Sequence, residues 1–300
     1  MKRKIIRQGK STLTVSLPSK FVKKYGIEGG TEIEIEEREG ELLLNPQKKS
    51  HGLSIEIDIT DFTMSLFWRC INALYVKGAD EIIIHYQGNE QLRWIHKTQN
   101  ELIGFAVTKE TEHTCILKEV SVTKELEFDN MLRQLFFILK TMSRDTLQGL
   151  SENSTELLTS INYREEDLNK NVRYCLRILN KTGYKDFRKT MPIYNIIILL
   201  ENLGDSLRCI AKEINPKTKL EKVYFEIFQD IDQEIEEFYF LFFKKDIELT
   251  KKLYKKNKQI WAKAKEIKTR TREETLLIGE LRKIIDIFSE LVECEFTLII

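Results

Sequence analysis

Residues 125–300 carry apolar side chains at spacings of three and four positions almost without interruption, and this pattern constrains the fold most. Such spacing places the apolar side chains along one face of a helix, and helices of this kind bury that face against one another. The segment therefore predicts an antiparallel bundle of about six helices, arranged as two loosely similar halves of three. The predicted breaks between helices lie near Ser151, Gly183, Pro216, Asp246 and Thr271.

Length and composition agree with a large helical share. The chain has 300 residues, more than one compact core usually needs, so two or three domains are expected. Charged residues make up 32% of the chain and there are only four prolines, which favours long helices with ion-paired outer faces. No run of about eighteen apolar residues occurs, and no apolar segment follows the basic start. The sequence therefore predicts a cytoplasmic protein that neither inserts into a membrane nor is exported.

The residue types that most often carry catalysis are scattered. The five cysteines form no C-x-x-C pair, which favours buried free thiols in a reducing cytosol, and the four histidines are equally dispersed. No phosphate-binding P-loop, G-x-S-x-G turn or HExxH helix is present. The sequence therefore predicts a protein that is not an enzyme.

The segment 52–124 alternates between the patterns of strands and helices. Its predicted elements are, in order, a strand at Leu53–Ile59, a helix at Asp61–Lys77, a strand at Glu81–Tyr86, a helix at Glu90–Leu102 and one or two strands within Phe105–Val122. The β-α-β-α-β order predicts a small α/β domain with a ferredoxin-like arrangement. No glycine-rich phosphate loop joins a strand to a helix here, so no ligand is predicted for this domain.

The first 24 residues hold a concentration of positive charge. Eight basic residues occur between positions 2 and 24 with no acid among them, and the first acid is Glu28. A run of glutamates then follows, so the formal net charge of +1 for the whole chain conceals a local positive field. Cations spread over folded elements can neutralise several phosphates at once. This field therefore predicts a polyanion partner that binds the first part of the chain only.

Turn residues divide the same region into short elements. Two strands, Lys4–Arg7 and Thr12–Leu17, are separated by Gln8-Gly9, and a short helix over 18–25 ends at Gly26. After a glycine turn come the strands of a hairpin, Thr31–Arg38 and Glu41–Asn45, and then a linker over 46–52. A unit of this size buries little surface alone, so a dimer is expected.

The order of these elements resembles the AbrB/MazE family. The residues that carry the resemblance are Gly9-Lys-Ser-Thr-Leu-Thr-Val-Ser-Leu-Pro-Ser-Lys-Phe-Val-Lys-Lys-Tyr-Gly-Ile27, followed by Gly29-Gly30-Thr-Glu-Ile-Glu-Ile35. The resemblance covers residues 1–47 and implies an intertwined, swapped-hairpin β-barrel that binds DNA as a dimer. The DNA-binding residues that it implies are Arg3, Lys4, Arg7, Lys10, Lys20, Lys23 and Lys24.

A second pattern lies in the predicted bundle, at Glu201-Asn-Leu-Gly-Asp205. Glu201 and Asp205 are four residues apart, so both carboxylates leave the same face of a helix. With ligands from a neighbouring helix, such a pair can hold a divalent or ferric ion, with Fe, Zn, Mn and Mg as the candidates. The alternative is a solvated stripe of mixed charge that also includes Arg208 and Lys212.

This motif, with the Ile-Ala-Lys-Glu that follows it, resembles the third helix of the PhoU phosphate-uptake regulators. PhoU proteins consist of two three-helix repeats, each usually with an E/D-x-x-x-D metal motif, and archaeal relatives carry an AbrB-like head. The resemblance implies a PhoU-like bundle over residues 125–300. In the second repeat the acidic positions are displaced, and the metal ligands that the resemblance implies there are Asp286, Glu290 and Glu293.

Together these features predict an α+β multidomain chain with an AbrB-like DNA-binding and dimerisation domain at 1–47, a small α/β domain at 52–124 and a PhoU-like bundle at 125–300. The predicted function is DNA-binding regulation of phosphate uptake, in which the bundle senses a metal ion, a phosphate-transport ATPase or a signalling protein. Two alternatives remain open. One is an adaptor that docks on the transport ATPase and uses its head mainly to dimerise, and the other is an antitoxin-like regulator.

Overall fold

The computed structural model describes residues 2–38, 41–45, 52–121 and 125–300. The chain divides into two compact units, Met1–Gly52 and Leu53–Ile300. The fold class is α+β as predicted, with strands at the N-terminus, a small mixed sheet in the middle and a helical region at the C-terminus. The further division of the second unit into domains at residue 124 stays a prediction.

The N-terminal unit contains two hairpins and a short helix. Its elements are β1 (Ile5–Gln8), β2 (Thr12–Val15), α1 (Ser19–Tyr25), β3 (Glu34–Arg38) and β4 (Glu41–Asn45). Strands β1 and β2 pair antiparallel, as do β3 and β4. Gly9 in the first turn and Gly26 at the end of α1 have φ values of 76° and 62°, a conformation that favours glycine. Within one copy of this unit, the described residues form two separate ladders, so the swapped-hairpin barrel stays a prediction about the dimer.

The second unit begins with a four-stranded mixed sheet. Its elements are β5 (Ser54–Asp58), α2 (Met64–Lys77), β6 (Glu81–His85), α3 (Asn89–Gln99), β7 (Phe105–Glu110) and β8 (Thr114–Glu119). The strand order is β5-β6-β8-β7, in which β5 and β6 are parallel and the other neighbours antiparallel. The predicted ferredoxin-like arrangement is wrong. That fold runs β-α-β-β-α-β, whereas this chain has two successive β-α units and then closes with the β7–β8 hairpin.

Six helices span residues 125–300, as the periodicity predicts. They are α4 (Glu125–Ser151), α5 (Thr155–Thr182), α6 (Thr190–Glu213), α7 (Lys222–Lys244), α8 (Ile247–Glu266) and α9 (Arg272–Ile299). The predicted breaks are confirmed, and side chains mark several of the helix starts. Ser154 and Asp246 accept hydrogen bonds from backbone N–H groups at the starts of α5 and α8, and Thr271 forms a capping box with Glu274 at the start of α9.

The helices pack as two groups of three, α4–α5–α6 and α7–α8–α9, joined where α6 lies against α9 and α4 against α7. Aromatic rings fill the α4–α7 contact, where the ring centroids of Phe136 and Phe242 are 5.5 Å apart. Gly204 on α6 allows a close approach of α5, because a β carbon at this position would overlap the Leu168 side chain. This grouping agrees with the predicted halves of three helices, while the resemblance to PhoU itself stays a prediction.

A buried charge cluster ties the sheet to the bundle. Arg177 on α5 is 1% exposed, and its Nη1 donates a hydrogen bond to the Tyr75 carbonyl at 2.8 Å. Its Nη2 lies 3.1 Å from Glu119 Oε2, and Lys181 forms ion pairs with both Glu119 and Asp80. These contacts attach α5 to β8 and to the start of β6.

None of the helices formed by the described residues combines the length and apolar character that a membrane span requires.

Candidate nucleic-acid interface

The predicted DNA-binding cations of the N-terminal unit all have exposed side chains. Arg3, Lys4 and Arg7 lie in β1 or just before it, Lys10 lies in the β1–β2 turn, and Lys20, Lys23 and Lys24 lie on α1. In the β1–β2 ladder Arg7 is the partner of Leu13, and Ile5 is the partner of Val15. Because opposite residues of an antiparallel pair project to the same side, this face of the hairpin carries both a cation and apolar side chains.

Helix α1 separates its aromatic side chains from its lysines. The rings of Phe21 and Tyr25, four residues apart, contact each other at 4.9 Å between centroids. Lys20 and Lys23, three residues apart, therefore project from a different face of the helix. Lys24 lies beside Tyr25, with its Nζ 5.0 Å from the ring centroid. The helix thus presents its cations to solvent, while its two rings are only partly exposed.

Large apolar side chains of both hairpins remain exposed within one chain. Ile5 is 67% exposed, Leu13 63% and Leu42 66%. The full set comprises Ile5, Ile6, Leu13, Val15, Ile35, Leu42 and Leu43. Helix α1 has no buried residue either. Seven exposed apolar side chains in so small a unit favour association with a second copy.

Residues 6–50 match the MazE family. The family is described as antidote-toxin recognition MazE, bacterial antitoxin, and the matched residues run from β1 to beyond β4. The N-terminal unit is therefore an AbrB/MazE-type domain, which confirms the predicted resemblance for this part of the chain. Among curated proteins none matches the chain. The unit is called the MazE-type unit below.

The predicted carboxylate pair of α6 lies beside α5. Burial raises the pKa of the Glu201 carboxyl above its usual value; Asp205 adds to this rise and Arg173 opposes it. On α5, burial also raises the pKa of Glu165, and Arg208, whose Nε lies 3.4 Å from Glu165 Oε1, opposes that rise. Three carboxylates and two arginines thus form one group, the α5–α6 charge cluster. Its members are Glu165, Arg173, Glu201, Asp205 and Arg208.

The α5–α6 charge cluster contains cations of its own beside its carboxylates. Its two arginines already supply positive charge to the carboxylates, where a metal ion would otherwise do so. Arg173 also donates a hydrogen bond to Glu101 at 3.2 Å, and Glu101 accepts a second one from Trp68. Within residues 2–38, 41–45, 52–121 and 125–300, no group of three or more His, Cys, Asp and Glu side chains is placed to hold a metal ion. A metal ion at Glu201 and Asp205 stays a prediction.

Sequence reasoning did not find Glu165, Arg173 or Glu101, which complete the surroundings of the predicted pair. They lie on α5 and in the segment after α3, and a motif within one helix carries no information about its neighbours. The predicted residues of the second repeat, Asp286, Glu290 and Glu293, are exposed on α9. They lie on the solvent side of this helix, and their role as metal ligands also stays a prediction.

Two carboxylates are buried in the second half of the bundle. Burial raises the pKa of Glu234 on α7 to about 8, although Asn257 donates a hydrogen bond to it at 3.3 Å. Burial likewise raises the pKa of Glu295 on α9 to about 8. The sequence indicates the burial of Glu234. This residue lies three positions after Ile231 and four before Phe238, so it projects from the apolar face of α7.

A shallow cavity of about 490 Å³ opens at the C-terminal ends of β5 and β6, a position where α/β sheets commonly bind ligands. Its lining residues are Asp58, Thr60, His85, Tyr86, Gln87 and His113. Two of its polar side chains already have hydrogen-bond partners within the protein. Asp58 accepts two hydrogen bonds from Thr60, and His85 forms hydrogen bonds with the neighbouring Glu56 and Thr114. The cavity therefore indicates no particular ligand.

Proposed function

We propose that the chain is a DNA-binding regulator, and not an enzyme, whose MazE-type units bind DNA as a dimer. Domains of the AbrB/MazE type bind DNA and form dimers. The observation that carries the proposal is the combination of two surfaces in one small unit. A set of exposed cations with no acid among them lies beside apolar side chains that a second copy would cover.

The energetics support a dimer of the MazE-type unit. Covering a largely exposed Ile, Val or Leu side chain contributes about 1–2 kcal/mol. Seven such side chains in each of two copies would contribute on the order of 20 kcal/mol, above the roughly 4–15 kcal/mol that association costs. The dimer would also double the number of cations that face the phosphates of one duplex. Both effects favour DNA binding by two copies over binding by one.

Binding of the full chain to DNA at different salt concentrations tests the proposal. The probe is a fluorescein-labelled duplex of mixed sequence, and the readout is fluorescence anisotropy. Because bound cations displace condensed counterions, we expect the affinity to fall by at least about tenfold between about 50 and 200 mM salt. If the full chain showed no salt-dependent binding to the duplex, the proposed function would be wrong.

For the bundle we propose a sensing role in phosphate uptake and phosphate homeostasis. The support is the grouping of six helices into two sets of three, together with the α5–α6 charge cluster. The proposed partners are a phosphate-transport ATPase or a signalling protein, and the proposed effector is a metal ion at Glu201 and Asp205. Elemental analysis of the purified chain and of Glu201→Gln/Asp205→Asn tests the metal ion. Equal metal contents would refute it.

An antitoxin-like regulator is the second candidate, because the description of the matched family names toxin recognition. The two functions differ in what deletion of the gene does. Loss of an antitoxin releases a toxin and stops growth, whereas loss of a phosphate regulator changes transcript levels of its targets. The adaptor alternative differs in a third way. An adaptor would still bind the transport ATPase after Arg7 and Lys23 are replaced by neutral residues.

A further inference from the structure

Helix α8 and the segment after it form a second concentration of positive charge in the chain. Between positions 251 and 272 there are ten basic residues and one acid, Glu266. The basic residues are Lys251, Lys252, Lys255, Lys256, Lys258, Lys263, Lys265, Lys268, Arg270 and Arg272. The expectation that a polyanion partner would bind only the first part of the chain therefore needs revision.

Only some of these cations are neutralised by their neighbours. Lys256 and Lys263 form ion pairs with Glu237 and Asp230 on α7, at 3.0 and 2.8 Å. These two lysines lie on the side of α8 that faces α7. By contrast, Lys252, Lys255, Lys265 and Lys268 are exposed and form no ion pair with another residue in the described part of the chain.

The exposed cations line one side of the helix. Lys251, Lys255, Lys258 and Lys265 stand at positions i, i+4, i+7 and i+14, which share one face of an α-helix. Of these four, Lys251 forms an ion pair with Glu248 at 2.7 Å. At a rise of 1.5 Å per residue they extend over about 21 Å. We call Lys251, Lys252, Lys255, Lys258 and Lys265, together with Lys268 just after the helix, the α8 basic surface. Its length spans several phosphates of a duplex, since one DNA strand carries a charge about every 3.4 Å of helix axis.

We infer that the α8 basic surface binds the phosphate backbone of duplex DNA, in addition to the contact made by the MazE-type unit. This inference rests on the proposed function only for the choice of DNA as the polyanion. The opposite face of α8, with Leu253, Asn257 and Ile260, is buried in the bundle. No apolar face of α8 is therefore left to insert into a lipid surface, which an interfacial helix requires. Lysines without base-reading partners favour sequence-independent contacts with phosphates.

A second copy of the chain is the competing occupant. Asp286, Glu290 and Glu293 are exposed on α9, which packs beside α8, and could face the lysines of another molecule. A duplex is favoured because its charge is dense and continuous, whereas α9 offers three carboxylates and also the exposed Lys283. The experiment below distinguishes the two occupants.

The test compares the salt dependence of DNA binding by the full chain and by Lys255→Gln/Lys258→Gln. The matched control is Arg93→Gln/Lys97→Gln, which removes two exposed cations from α3. Each lost phosphate contact lowers the slope of log Kobs against log salt by about 0.9, so the α8 variant should lose about 1.8 for each copy of the chain that contacts the duplex. With a loss of about 1.8, the affinity of the variant should fall roughly tenfold less than that of the wild-type chain between about 50 and 200 mM salt, and the control should match the wild-type chain. Lys255→Arg/Lys258→Arg keeps the charge and should retain the wild-type slope.

Two outcomes would overturn the inference. The first is a Lys255→Gln/Lys258→Gln slope equal to that of the control. The second is an unchanged slope with loss of self-association in sedimentation equilibrium, which would assign the surface to a second copy. A different variant tests the proposed function. If the MazE-type unit does not bind DNA, Arg7→Gln/Lys23→Gln will leave the slope unchanged. If only the α8 variant lowered the slope, the inference would stand and the proposed role of the MazE-type unit would not.

Discussion

Arg7 and Leu13 lie directly opposite each other in the β1–β2 ladder, so a cation and an exposed apolar side chain leave the hairpin on the same face. One short hairpin therefore presents a group that favours phosphate next to a group that favours a second copy. The two contributions are separable, because a substitution at one position removes charge and a substitution at the other removes apolar area.

Substitution Leu13→Asp is expected to dissociate the dimer. It places a carboxylate where the second copy would bury an apolar side chain, and burial of an uncompensated charge is costly. Size-exclusion chromatography with light scattering should show a shift toward the monomer mass. Val120→Asp, at a similarly exposed apolar position of the second unit, is the control and should keep the wild-type mass. A dimer of unchanged mass in Leu13→Asp would mean that this face is not the dimer contact.

Substitution Gly204→Ala is expected to destabilise the bundle by about 1–3 kcal/mol. The added methyl would overlap the Leu168 side chain, so this side chain or α5 itself would have to move. Gly279→Ala on α9 is the control, since its position is open and an exposed helical glycine is less favourable than alanine by roughly 0.5–1 kcal/mol. Urea denaturation measures both. A Gly204→Ala chain as stable as the wild-type chain would show that the α5–α6 contact tolerates a β carbon at this position.

Glu234 predicts a specific pH dependence of stability. Its folded-state pKa of about 8 lies above the unfolded value of about 4.3, so the unfolded chain releases this proton first as the pH rises. Stability should therefore fall between about pH 4.3 and 8, by at most about 1.4 kcal/mol per pH unit. Glu295 contributes in the same direction.

Glu234→Gln should make this fall shallower without abolishing it. The difference between the urea midpoints at about pH 5.5 and about pH 7.5 measures the fall in stability. Relative to the wild-type chain, the variant should gain most stability at the higher pH. Glu290→Gln changes an exposed carboxyl on α9 and should leave the difference as it is. The same difference in Glu234→Gln as in the control would show that this carboxyl does not titrate between the two pH values.

Local sequence patterns predicted most of the helices and strands. They did not predict which strands pair, because strand pairing depends on residues far apart in the sequence. The apolar spacing in residues 125–300 predicted six helices and their breaks, because burial of one face dictates that spacing. The sheet order could not be predicted in this way. Strand β8 pairs with both β6 and β7, and nothing within Thr114–Glu119 indicates which strands become its neighbours.

The candidate sites show the same limit. The cations of the MazE-type unit were identified because they lie within 24 residues of sequence that contain no acid. The partners of Glu201 were not, since Glu165 and Arg173 come from another helix. The α8 basic surface was overlooked for a different reason. The lysines of α8 are interspersed with Leu253, Ile260 and Trp261, and only their burial pattern shows that the lysines share a solvent-facing side.

The salt dependence of DNA binding by Arg7→Gln/Lys23→Gln tests the central claim most directly. Two cations in each copy of a dimer correspond to four phosphate contacts, so the slope of log Kobs against log salt should fall by roughly 2–4 units. Arg93→Gln/Lys97→Gln should keep the wild-type slope. Equal slopes for the wild-type chain and both variants would contradict the claim that the MazE-type unit holds DNA through its cations.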